Sequence, residues 1–371
     1  MEEKRTASYQ PLLISRRDLL KIIAVSLMIP GYDARMVASK TPVPKGIYAV
    51  TNTANWVIED GKRRNLFEID FVDGVTNYTR WAEIEKEEGS YDWKSFDRMI
   101  KEAASNNKKL SYNIISGNHA PDWVYNKAGV HGYEYFNSRK NKRVRTYLPW
   151  LESGKTRALN SGLLKIWDKT ILSFANHLNN HPLKDSIAYI AITGGPTSNG
   201  LEIMWAASDY NEFSKLNWDE EAEGLFIHFW MKVIDIFMEY MPDVPLGLAF
   251  TDLFGVNMFG ISRRNIEISK TIVDYALKVS KIHNATVVPM GLWLGNIDPD
   301  DLKNHPLVRL IRSFNVSFAL QGGLSTLHKK DMEKMLSLAE DIKSSWIELW
   351  HRDILNEDYS RIIKDTRSRI N

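Results

Sequence analysis

Eight strand-like segments recur along this chain, and amphipathic segments lie between most of them. That alternation constrains the fold more than any other feature. The strand-like segments are residues 46–50, 72–84, 110–115, 187–193, 245–251, 286–294, 316–320 and 345–350. The segment 187–193 is a short apolar, β-branched run bounded by glycine, which reads as a buried parallel strand. Between them, residues 91–104, 163–178, 225–240, 266–282, 302–314 and 332–342 read as helices, and 359–370 adds a last amphipathic helix. In the first of these the apolar positions are Tyr91, Trp93, Phe96, Met99, Ile100 and Ala103, a helical period. Eight strands alternating with helices predict an α/β chain folded as a (β/α)8 TIM barrel. Residues 51–66 are polar and read as a loop, so the helix between strands one and two is the weak member. A doubly wound open sheet is the structural alternative. No Gly-x-Gly-x-x-Gly follows any run, which leaves a dinucleotide site without support.

Composition narrows the classes further. The chain has 371 residues, 44% hydrophobic and 25% charged, enough for one large core. Net charge is +2, so no global field points to nucleic acid. The basic run Arg139-Lys140-Asn141-Lys142-Arg143 reads as a solvated loop. Cysteine is absent, which excludes disulfides, thiolate metal sites and a cysteine nucleophile. The nine histidines form no His-Glu-x-x-His pattern, and no Gly-x-Ser-x-Gly elbow appears. Neither a metal nor a cofactor is expected. The 12 tryptophans supply flat apolar faces suited to sugar rings, although core packing accounts for many such residues.

The N-terminus reads as a targeting segment. Ser15-Arg16-Arg17-Asp18-Leu19-Leu20-Lys21 precedes a short apolar run at 22–29, with small residues near Val37-Ala38-Ser39. A basic stretch, an apolar stretch and small residues make an export signal. This one resembles a twin-arginine signal with Leu19 in the usual Phe position, which implies the twin-arginine export machinery as a partner and an exported protein. The apolar run is too short to span a bilayer, which takes about 20 residues. Residues 1–40 are therefore set apart from a single barrel domain over 41–371.

The densest chemical signal lies at residues 186–205. The apolar run 187–193 leads into Gly194-Gly195-Pro196-Thr197-Ser198-Asn199-Gly200, a loop that continues neither strand nor helix. Glu202 follows between Leu201 and Ile203. A carboxyl group among apolar neighbours past the end of a barrel strand is poorly solvated, which raises its pKa and suits a general acid. A surface glutamate after a turn is the bland reading.

A second set of residues carries a family resemblance. Val75, Arg80-Trp81, Glu85, Gly89-Ser90-Tyr91-Asp92-Trp93, Asp97, Gly117, Pro121-Asp122-Trp123 and Leu148-Pro149-Trp150 resemble the first half of the clan A glycoside hydrolase barrels, especially the family 42 β-galactosidases. The resemblance implies a carbohydrate substrate. It also implies an acid/base glutamate after strand four and a nucleophilic glutamate after strand seven. Glu202 fits the first position, although Leu201 rather than Asn precedes it. Strand seven departs: it ends Ala319-Leu320-Gln321-Gly322-Gly323, with Gln321 in the nucleophile position. Strand eight instead carries Glu348 in Trp346-Ile347-Glu348-Leu349-Trp350. Glu348 is thus the candidate second carboxylate, as nucleophile or water-activating base. Its alternative is a structural carboxylate paired with Arg80 or Arg352.

Candidate substrate-binding residues are Arg80, Trp81, His119, Trp123, Trp205, Trp293, Gln321 and Trp350. Arg80 supports the acidic centre or pairs with Glu85. His119 and Trp123 follow strand three. Trp205, Trp293 and Trp350 stack on sugar faces or belong to the core. The polar stretch 126–153 is expected over the barrel mouth. Two readings follow: hydrolysis of O-glycosidic bonds, or a barrel that binds glycans without cleaving them.

Overall fold

The computed structural model describes residues 41–52, 56–59, 62–127, 129–130, 132–137, 141–153, 156–196, 199–205, 218–254, 266–294, 304–322 and 329–370. The segment read as an export signal, 1–40, lies outside them. Among the described residues no helix is long and apolar enough to cross a membrane.

Strand β1 (Gly46–Thr51) is followed by an antiparallel hairpin, β2 (Trp56–Glu59) with β3 (Lys62–Asn65), where most barrels place a helix. Strand β4 (Gly74–Arg80) then runs into a helical turn, Trp81–Ile84, and the helix Lys94–Ser105. After β5 (Lys109–Ile115) come two more hairpins, β6 (Gly132–Asn137) with β7 (Lys142–Tyr147) and β8 (Trp150–Ser153) with β9 (Thr156–Leu159). The helix Ser161–Asn179 leads to β10 (Ile190–Ala191) and β11 (Glu202–Trp205). Thereafter strands and helices alternate: Glu220–Tyr240, β12 (Leu246–Phe254), Ile266–His283, β13 (Val287–Gly291), Pro306–Ser313, β14 (Ala319–Gly322), Lys329–Asp341 and β15 (Trp346–Trp350). Helices His351–Leu355 and Glu357–Ile370 complete the chain.

The principal sheet runs β10-β12-β13-β14-β15-β1-β4-β5, with every pairing parallel. A parallel bridge between Leu110 and Ile187 joins the two ends, and Ala188 N–H donates to Leu110 O at 2.8 Å. The expected eight-stranded barrel is therefore present, with the first strand held between the second and the last.

Alternation along each strand builds two cores. Tyr48, Tyr78, Tyr189, Met290 and Trp346 fill the interior of the barrel. Outward residues meet the helices. The helix Ser161–Asn179 buries Leu163, Trp167, Ile171, Phe174 and Leu178, a three-to-four-residue stripe, and Asn160 caps it by accepting from Leu163 N–H at 3.2 Å. Removing a buried ring such as Trp167 costs about 3–5 kcal/mol in cores of this kind.

Three expectations are corrected. Strand two stops at Arg80, not at residue 84, because Trp81 turns into a helix whose indole N–H is taken by Glu85 Oε2 at 2.7 Å. Strand four pairs regularly only at Ile190–Ala191, since Asn113 Oδ1 accepts Ala191 N–H at 2.6 Å in place of a backbone partner. The polar stretch 51–66, read as a loop, holds a hairpin, and the polar excursion from 126 holds one hairpin and opens a second that ends at Leu159.

Candidate active site

The loops after strands three and four are fastened to one another, and this fixes where Glu202 lies. Gly194 and Gly195 N–H groups donate to Gly200 O at 3.0 and 3.1 Å, closing the turn. Ser116 N–H donates to Asn199 O at 3.0 Å. Tyr147 ties in the hairpin: its hydroxyl accepts from Gly117 N–H at 3.2 Å and donates to Gly194 O at 3.3 Å. Two glycines are required here. Gly194 has φ +118°, and a Cβ there would lie 2.2 Å from Trp167 Nε1. Gly200 has φ +64°, and its Cβ would lie 1.9 Å from Ser116 Oγ.

This turn delivers Leu201 and Glu202 alongside β12. Glu202 opens β11 and pairs in register with Ala249, so it lies on a short parallel strand rather than in a loop. Leu201 and Ile203 are buried on either side of it. The glutamate keeps partial exposure overall, but its carboxyl group is closely enclosed. Loss of water alone pushes its pKa from 4.5 to about 7.

Glu348 has the opposite surroundings. It is 0% exposed and points into the barrel from the middle of β15. Thr76 Oγ1 donates to Oε1 at 2.8 Å, and the Tyr189 hydroxyl donates to the same oxygen. Tyr78 donates to Oε2 at 3.3 Å, and Gln321 Nε2 donates to Oε2 at 2.8 Å. Burial pushes the Glu348 pKa up, while hydrogen bonds from Tyr189, Gln321, Thr76 and Tyr78 pull it down. All four groups can donate to an ionised carboxylate, yet burial outweighs them and the net direction of the Glu348 pKa is upward. Among the described residues all four partners are neutral, and Arg80 is not among them. Arg80 is exposed and pairs with Glu83 at 3.4 Å, not with Glu85 or Glu348.

Tyr78 contacts Glu348 and lies within range of the charge of Glu202. Burial raises its pKa well above the ordinary phenol value, and the charges of Glu348 and Glu202 add to the rise. Tyr189 is raised chiefly by burial and then by Glu348. Thr76, Tyr78 and Tyr189 were not expected from the sequence. The available signal was the alternation Thr76, Tyr78, Arg80 along strand two, which places Thr76 and Tyr78 on the face that bears Arg80.

The other candidates are dispersed. Trp81 is fully buried, edge-on to Trp167 with centroids 4.8 Å apart, so it belongs to the packing beneath the helices. Trp123 is partly buried and donates through Nε1 to Glu85 O at 3.0 Å. His119 lies in the turn Gly117–His119, partly exposed, next to the strand-three loop. Trp293 is 5% exposed, packed edge-on to Phe250. Trp350 is partly exposed at the end of β15. Gln321 is 7% exposed and directly contacts Glu348. The Trp205 side chain lies outside the described residues.

On the helical layer, His177 and His181 both face Asp97, at 2.6 and 3.7 Å. His181 Nδ1 accepts Leu183 N–H at 3.1 Å, so its Nε2 carries the proton toward Asp97. That arrangement is a hydrogen-bonded ion cluster. Among the described residues no group of three or more His, Asp or Glu side chains is placed to hold a metal ion.

No protein-family model matches the chain. Among solved structures, it is similar to an intracellular xylanase from Thermoanaerobacterium saccharolyticum in complex with xylotetraose, at 11% identity over 85% of this chain and 88% of that one, with a TM-score of 0.47. Xylanase 10B from Thermotoga maritima is 10% identical over 82% of each chain, with a TM-score of 0.48. Xylanase XynB from Paenibacillus barcinonensis is 12% identical over 82% and 83%, with a TM-score of 0.49. The expected likeness to family 42 β-galactosidases finds no support in these comparisons. The reading of Gln321 as a replaced nucleophile finds none either. The strand pairing of this chain itself defines the barrel.

Proposed function

We propose that the barrel is a glycoside hydrolase that cleaves O-glycosidic bonds of an oligo- or polysaccharide. Glu202 is the general acid and Glu348 the second carboxylate. One observation carries this reading: a dehydrated glutamate past the end of strand four lies within electrostatic range of Tyr78, which hydrogen-bonds a second buried glutamate, Glu348. Glu202 is dehydrated and has a pKa of about 7. Glu348 accepts four hydrogen bonds. Burial raises both pKa values, and hydrogen bonds oppose that rise only at Glu348, the difference that assigns the acid role to Glu202.

In the proposed reaction Glu202 gives its proton to the leaving glycosidic oxygen as the bond from the anomeric carbon breaks. Glu348 either bonds to that carbon, to be released later by water, or takes a proton from the water that attacks it. Carboxyl separations of about 5–5.5 Å go with the first course and about 6.5–9.5 Å with the second. We also infer export through the twin-arginine route, on the strength of Arg16-Arg17 and the apolar run behind them. Transport of a reporter fused to residues 1–40, lost on Arg16→Lys with Arg17→Lys, tests that.

A second reading has its own observation. Glu348 is 0% exposed, which favours a barrel that binds glycans and leaves them intact. The deciding experiment is product release from a glycan panel that includes xylan and β-galactosides. Release that falls by about 10²–10⁴-fold in Glu202→Gln supports hydrolysis. Retention of a glycan with no product supports the second reading.

A further inference from the structure

We infer that Tyr78 is a positioning residue: together with Gln321, its hydroxyl holds the Glu348 carboxyl group in place inside the barrel. The inference rests on the proposed assignment of the two glutamates and adds a third participant to it.

The geometry is a closed triangle. Gln321 Nε2 donates to the Tyr78 hydroxyl at 3.0 Å and to Glu348 Oε2 at 2.8 Å, and Tyr78 donates to the same Oε2 at 3.3 Å. When Glu348 is ionised, the two amide protons of Gln321 go to the phenol oxygen and to the carboxylate, and the single Tyr78 proton goes to Glu348. Turning the Gln321 carbonyl toward the ionised Glu348 would place two acceptors face to face. The Tyr78 proton is then held by Glu348.

The backbone holds the ring in place. Tyr78 pairs in register with Asn113 across β4 and β5 and is 5% exposed. Other groups facing Glu348 are Tyr48 from β1, Tyr189 from strand four and Thr76 from β4 itself. Each is neutral in its ordinary state. Glu202 is the second anion near Tyr78, and its own proton affinity is raised by loss of water, not by the charge of Glu348. The phenol thus contacts Glu348 and meets Glu202 only through its charge, whereas each carboxyl group is set by its own surroundings.

The test is Tyr78→Phe, which keeps the ring and removes the donor. Losing a donor makes the charged form of Glu348 harder to maintain, so its pKa rises further. In the pH profile of kcat/KM the acidic limb moves upward by about one unit, and the basic limb, set by Glu202, stays in place. A second readout needs no substrate. Because the Glu348 pKa in the fold rises, Tyr78→Phe loses more stability at about pH 8 than at about pH 5, and adding Glu348→Gln removes that pH dependence. Both limbs moving together, neither limb moving, or a stability loss equal at the two pH values overturns the inference. A variant unfolded at every pH also overturns it, since it places the hydroxyl in general packing. If no substrate is turned over but the pH-dependent stability loss appears, the hydrolase assignment fails while the Tyr78–Glu348 coupling stands.

Discussion

Gln321 and Glu348 are register partners on adjacent parallel strands, and the amide of one donates to the carboxylate of the other at 2.8 Å. A carboxamide there gives Glu348 a donor without a competing charge. Gln321→Glu replaces it with a second carboxyl group at the same spot. Two buried carboxyl groups so close share a proton, and full ionisation of both is strongly opposed. The variant is expected to lose about 3–5 kcal/mol of stability at neutral pH and to recover much of it near pH 4. Urea unfolding at the two pH values measures this, and equal losses at both would refute it.

Activity should follow the protonation of Glu202. Its pKa of about 7 makes it a proton donor below that pH, and turnover should fall about tenfold per unit above it. The stability consequence has a definite sign. A carboxyl group whose pKa rises from 4.5 to about 7 on folding is fully accommodated below its unfolded value. Its contribution is lost as pH rises through about 7. Glu202→Gln should therefore be the more stable protein at about pH 8, by on the order of 2 kcal/mol, with little difference at about pH 4. Thermal unfolding of both proteins across that range is the check.

Gly200→Ala attacks the placement of Glu202 without touching it. The added methyl group meets Ser116 Oγ at 1.9 Å on a residue with φ +64°. Either feature alone strains the turn, so the substitution should cost about 1–3 kcal/mol. Turnover should fall more than that stability loss explains, because β11 is displaced with the turn. A fully folded Gly200→Ala protein with unchanged kcat would show that the turn does not set the position of Glu202.

Asp353, just after β15, is 1% exposed, and neither carboxyl oxygen has a hydrogen-bond partner among the described residues. Burial pushes its pKa from 3.8 to about 6. Since the folded value is raised, the group costs stability as pH climbs through about 6. Asp353→Asn should stabilise the chain by about 1–2 kcal/mol at pH 8 and have almost no effect at pH 3. A melting temperature at pH 8 no higher than that of the parent protein would contradict this.

The strands were legible in the sequence because buried parallel strands leave short, mostly apolar runs, as at 46–50 and 187–193. Helices such as Ser161–Asn179 were legible from the stripe Leu163, Trp167, Ile171, Phe174. The hairpins were not, because polar surface strands have no apolar face to announce them.

The site was legible only in part, for a different reason. Glu202 stood out because its immediate neighbours in sequence are also its neighbours in space. The partners of Glu348 do not share that property: Thr76 is 272 positions away, Tyr78 is 270 and Tyr189 is 159. Alternation indicates that Thr76 and Tyr78 share a face. It does not indicate that this face meets strand eight. Arg80 was expected in the acidic centre on the same alternation, but at the strand end its long side chain reaches solvent and Glu83.

The first strand, held between the second and the last, has a consequence for how the barrel is made. Gly46 pairs with Trp346, and Asp73 at the entry to β4 takes a two-pronged contact from Arg367 in the last helix, 294 residues away. The seam is closed by residues made long after those of β1. Until they arrive, β1 has an open edge and the apolar groups it shares with β15 remain in water. Synthesis from one end cannot finish the structure piece by piece, and the rate of maturation is governed by a contact that spans most of the polypeptide.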